Sequence, residues 1–116
     1  MFSEKFHEGE ATQGHSPDWA PLELVIGGEL PEWFMWMFEV QLTNGLVLNA
    51  YKHRMSREYM HLSRNGSCFD FRSPNRYFEV DLAMAIERAF RFMGPYELPP
   101  EQRQALDKAI EKAEWL

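Results

Sequence analysis

The sequence predicts an α+β fold: an antiparallel four- to five-stranded meander sheet with two C-terminal helices packed on one face. Three observations carry that expectation. Asn44-Gly45 and Asn65-Gly66 each sit between alternating runs, and Asn-Gly is the strongest short hairpin signal because both residues accept the positive φ of a type I′ turn. After Asp81 the apolar period changes from two to that of a helix. Strands come first and helices last, the order of an α+β domain.

Residues 1–20 are polar and acidic, with Gly9, Gly14 and Ser16-Pro17-Asp18 as punctuation. They read as a flexible acidic arm pinned at its end by Trp19, leaving 21–116 as a single domain. Leu22 to Ile26 is expected to be a short strand halted by Gly27-Gly28.

Phe34, Trp36, Phe38, Val40 and Leu42 then fall on one face at period two. A two-residue loop at Asn44-Gly45 sets Leu42 against Val47, Val40 against Asn49 and Phe38 against Tyr51. The second Asn-Gly, treated alike, sets Leu62 against Phe69 and Met60 against Phe71. Its polar face pairs Tyr59 with Arg72, His61 with Asp70 and Ser63 with Cys68. A register slip of one residue would exchange the two faces.

Tyr77 to Val80 adds a fifth strand. Asp81 is placed to cap a helix whose stripe is Leu82, Ala85, Ile86, Ala89, Phe90 and Met93, ended by Gly94-Pro95. Pro99-Pro100-Glu101 opens a second helix with Leu106, Ala109, Ile110 and Ala113 inside.

Function is less legible. Cys68 is the only cysteine, which removes an intramolecular disulfide or a cysteine-based zinc site. The opening residues lack the apolar core of a signal peptide, and no run is long enough for a transmembrane helix, so a cytoplasmic protein is expected. The net charge of −6 is uneven: residues 51–76 carry six basic and two acidic side chains, while residues 1–50 carry one basic and eight acidic. An acidic chain is a poor candidate for nucleic acid, because phosphate neutralisation supplies most of that affinity.

Three sites follow, in descending order of expectation. Nine Phe, four Tyr, four Trp and seven Met are a heavy load for 116 residues. They concentrate where both faces of a strand are apolar: Trp33, Met35 and Met37, extended by Leu46 and Leu48, form an expected outward docking strip. The leading expectation is therefore a non-enzymatic protein-binding module, an acidic inhibitor or adaptor of the phage or mobile-element accessory type, docking on a partner protein or a second copy of itself. The alternative is a nucleic-acid-associated domain using the basic belt of Lys52, Arg54, Arg57 and Arg64, interleaved with Tyr51, Tyr59 and Phe71. The third is a small enzyme built on His61, Asp70, Ser63 and Cys68, weakened by the lack of a pocket or oxyanion donors on a flat sheet. No catalytic residue, metal ligand set or cofactor is assigned, and no membrane contact is expected.

Overall fold

The computed structural model describes residues 5–12, 14 and 16–115. In chain order it contains β1 (His7–Thr12), α1 (Ala20–Val25), a 3-10 turn (Leu30–Trp33), β2 (Phe34–Leu42) and β3 (Val47–His53). These are followed by β4 (Tyr59–Ser63), β5 (Cys68–Arg72), β6 (Arg76–Val80), α2 (Leu82–Arg91) and α3 (Pro100–Glu114). The six strands pair in sequence order and β6 returns to β1, closing an antiparallel barrel. The expected open meander of four or five strands is thereby corrected, although the molecule remains α+β.

Closure depends on β1, which lies in the segment read from sequence as an arm. It pairs with β2 from Gly9 opposite Leu42 to Thr12 opposite Glu39, and with β6 at His7–Tyr77 and Glu8–Arg76. Gly9 is required by the narrow interior: a Cβ there would lie 2.6 Å from Leu42 Cδ2 and 3.0 Å from the Gln41 carbonyl. Leu22 to Ile26, expected as a strand, instead forms α1 and its C-cap. Pro21 occupies the first turn, the Asp18 carboxylate accepts from Ala20 N at 3.1 Å, and the i, i+3, i+4 spacing buries Leu22, Val25 and Ile26.

Both hairpins differ from expectation by one residue. Gln41 opposes Val47 and Val40 opposes Leu48; Leu62 opposes Cys68 and His61 opposes Phe69. Each loop has three residues, with Gly45 at φ 91° and Gly66 at φ 90° supplying the left-handed position that ends a type I turn. The same asparagine contact recurs in both: Asn44 Oδ1 accepts from Leu46 N at 2.9 Å, and Asn65 Oδ1 from Ser67 N at 3.3 Å. A second irregularity lies in β2, where the register shifts between Trp36 and Phe38. Met37 is the extra residue of this bulge, and Trp36 and Phe38 consequently face opposite sides. The five hydrophobes expected on one face are divided between two cores.

The outer core joins one sheet face to the helices: Phe34, Tyr51, Met60, Leu62 and Cys68 pack with Leu22, Ile86, Phe90 and Leu106. The inner core, inside the barrel, contains Val40, Leu42, Leu48, Phe69 and Tyr77, with Phe38 and Leu46 against it. Each fully buried Leu, Ile or Phe contributes about 2 kcal/mol to this packing. The helices fall where their caps place them. Asp81 Oδ1 accepts from Met84 N at 3.0 Å, and Arg88 and Arg91 occupy the last turn of α2, where cations favour the dipole.

His53 belongs to the outer core. Its Nδ1 accepts from Met55 N at 3.0 Å and Ser56 N at 3.2 Å, which closes the β3–β4 turn. The ring lies edge-on to Phe90 at 4.7 Å and stacks on Trp33 at 5.8 Å. Among the described residues no helix is long and apolar enough to cross a membrane.

Candidate functional site at the open end of the barrel

The two ends of the barrel differ. At one end tight turns join β2 to β3 and β4 to β5, closed by Leu42 N to the Leu46 carbonyl at 2.9 Å and Ser63 N to the Ser67 carbonyl at 2.9 Å. At the other, β4 and β5 part company: they pair only at His61–Phe69 and Leu62–Cys68, whereas β5 follows β6 through Arg72–Arg76 and β4 follows β3 through Lys52–Tyr59. A seam therefore opens between Tyr59 and Phe71. β1 also runs past the start of β6 here, with Gly9 N donating to the Asn75 carbonyl at 3.0 Å. Gly9 and the exposed Ala11 of β1 also border this end of the barrel.

The result is a cleft of about 890 Å³ lined by inward side chains of several strands. Its walls are Phe38, Tyr59, Phe71 and Tyr77, and His61 lies among them. The His61 ring stacks on Tyr59 at 5.7 Å and 14° between planes, and meets Tyr77 edge-on at 5.4 Å. His61 is 4% exposed, and its buried Nδ1 has no hydrogen-bond partner among the described residues. Burial pulls its pKa from 6.5 down to about 4, against the opposing pull of the Phe69 backbone and the Asp70 carboxylate. The ring is neutral at pH 7.

Arg88 of α2 spans the seam. Its guanidinium makes a forked pair with Asp70, at 2.7 and 3.1 Å, and its Nε lies 3.5 Å from Glu58. The hydrogen bond to Asp70 raises the Arg88 pKa further, so the charge is permanent. This cluster ties α2 to both strands where their ladder is missing.

The residues expected to form a catalytic set do not share a face. His61 and Ser63 point inward, while Cys68 and Asp70 point toward the helices, because the three-residue loop moves β5 by one position against β4. Ser63 Oγ is engaged within its own loop by Asn65 and by Ser67 N. Burial first, and the Asp70 charge second, push the Cys68 thiol up to about 12, far from an activated thiolate. Among the described residues no three His, Cys, Asp or Glu side chains converge on a common point.

The expected docking strip is likewise divided. Leu48 is fully buried inside the barrel and Leu46 packs on the same core. Trp33 donates from Nε1 to Gln102 Oε1 at 2.7 Å and packs on the outer core. Met35 sits opposite Lys52, and only Met37, in the bulge, is clearly exposed. The physical reason is the same pair of irregularities, since the bulge and the shifted loop interrupt the assumed common face.

The basic belt is split between the barrel ends. Lys52 Nζ lies 5.6 Å over the Tyr59 ring, Arg54 Nε donates to the Glu32 carbonyl at 3.2 Å, and Arg57 stands on the rim of the cleft. Arg64, at the far end of β4, pairs with Asp18 at 2.6 Å. Sequence reasoning singled out His61, Tyr59 and Phe71 but missed Gly9, Ala11, Tyr77 and Arg88. Alternation of small and acidic residues in His7-Glu8-Gly9-Glu10-Ala11 was the available signal for the first two. In comparisons with known proteins, no family model, curated protein or solved structure matches the chain.

Proposed function

We propose that this protein is a non-enzymatic binding module whose working site is the open end of the barrel, where it holds a small molecule containing a planar ring. The observation that carries this reading is the cleft at the parted β4–β5 seam, walled by Phe38, Tyr59, Phe71 and Tyr77 around a neutral, buried His61. Four aromatic walls favour a flat, apolar body, and barrel mouths are a recurrent place for such sites. Binding is favoured over catalysis because Cys68 is buried with a raised pKa and faces away from His61.

Ala11→Phe tests the reading, because Ala11 is exposed and lines the cleft from β1, so a larger side chain there occupies it. In saturation-transfer NMR against a set of bicyclic aromatic compounds, the wild-type chain is expected to bind members of the set and the variant to lose them. Equal binding by both chains, or binding by neither, would overturn the proposal.

A further inference from the structure

The rim of the cleft narrows the class of ligand. Arg57 has φ 68°, and among the described residues it is the only non-glycine with positive φ. A left-handed backbone at a residue with Cβ costs about 1–2 kcal/mol and is ordinarily filled by glycine or asparagine. Here it is filled by an exposed arginine at the mouth of a cleft. No ion pair holds that guanidinium among the described residues, whereas Arg88, the cation across the seam, is already matched by Asp70 and Glu58. Strained positions of this kind collect at sites where the side chain is needed.

A cationic ligand fits poorly. The Tyr59 ring already carries the Lys52 ammonium, which would repel a second cation there. Arg57 and Arg72 line the cleft against Glu10, while the other two carboxylates of the lining, Glu58 and Asp70, are already paired with Arg88.

We propose, resting on the binding function above, that the ligand is a ring-bearing anion of the aromatic carboxylate class. Its ring lies against Phe38, Tyr59, Phe71 and Tyr77, and its anionic group pairs with Arg57 at the mouth. A carboxylate and a guanidinium form the forked, charge-assisted contact that arginine is suited to make. The site thus divides its work between an apolar floor that takes any flat ring and a rim that selects charge.

The experiment compares three probes that share a naphthalene ring and differ in charge, 2-naphthoate, 2-naphthylmethanol and 2-naphthylmethylammonium, by calorimetric titration against wild type and Arg57→Gly. Glycine suits the left-handed backbone, so the variant is expected to fold with a urea midpoint no lower than wild type. Wild type is expected to prefer the carboxylate by about tenfold over the alcohol, with the ammonium weakest. Arg57→Gly is expected to erase that preference while leaving the alcohol unchanged. Equal affinity for carboxylate and alcohol in wild type, or an undiminished carboxylate preference in Arg57→Gly, would overturn the anion class yet leave ring binding standing. Failure of all three probes to bind wild type would overturn the binding function as well.

Discussion

Replacing His61 with Gln should flatten the acid limb of the stability profile by a predictable amount. His61 and His53 are 4% and 0% exposed, and burial lowers each pKa from 6.5 to about 4. Since the folded value lies below the unfolded one, the unfolded chain takes up protons first as pH falls. The contribution is therefore fully present above about pH 6.5 and is lost progressively as pH drops toward 4. Between pH 7.5 and pH 5 each ring removes about 2 kcal/mol of stability, so wild type loses about 4 kcal/mol from the pair and His61→Gln only about 2. Urea unfolding at a series of pH values measures both curves, and titration of groups common to the two chains cancels in their difference. Parallel curves would refute the claim that His61 is buried and neutral.

Other outcomes follow from the same geometry. Gly9→Ala is expected to cost about 1–3 kcal/mol in chemical unfolding, because the new methyl group meets Leu42 and the Gln41 carbonyl inside the barrel. Gly45→Ala should cost about 1 kcal/mol, and Gly45→Asn less, since φ there is 91° and only the asparagine tolerates it. Cys68 in the folded protein should resist iodoacetamide at pH 7.5 and react promptly in denaturant, as its thiol is buried with a pKa pushed up to about 12; rapid labelling of the native state would contradict that placement. Arg88→Met should lower stability by only about 1 kcal/mol, because its ion pairs with Asp70 and Glu58 are partly solvated.

The two C-terminal helices and the positions of the hairpins were legible because each depends on local chemistry. Asp81 caps α2 with its own side chain, and glycine is needed at 45 and 66 in whatever loop forms. Register was not legible for a related reason. Asn-Gly satisfies a two-residue type I′ loop and equally the last two positions of a three-residue loop, and its local hydrogen bonds do not distinguish them. What decides is packing: the observed register places Leu48 in the inner core and Cys68 in the outer one. The bulge at Met37 left no sequence signal within an unbroken run of hydrophobes. β1 was missed because Gly9, its one buried residue, is too small to read as a buried face. His61 was visible as a chemically interesting side chain, but its neighbours were wrongly assigned. The one-residue change of register replaced an Asp–Cys neighbourhood with an aromatic one.

The central claim is that the barrel's open end is the binding site. Aromatic and methionine-methyl NMR spectra, recorded while 2-naphthoate is titrated into the full chain, test it most directly. The largest shifts are expected on Phe38, Tyr59, His61, Phe71 and Tyr77, with Met35 and Met37 little changed. Shifts concentrated on Met35 and Met37, or on the exposed Phe92 and Tyr96 between the last two helices, would contradict it.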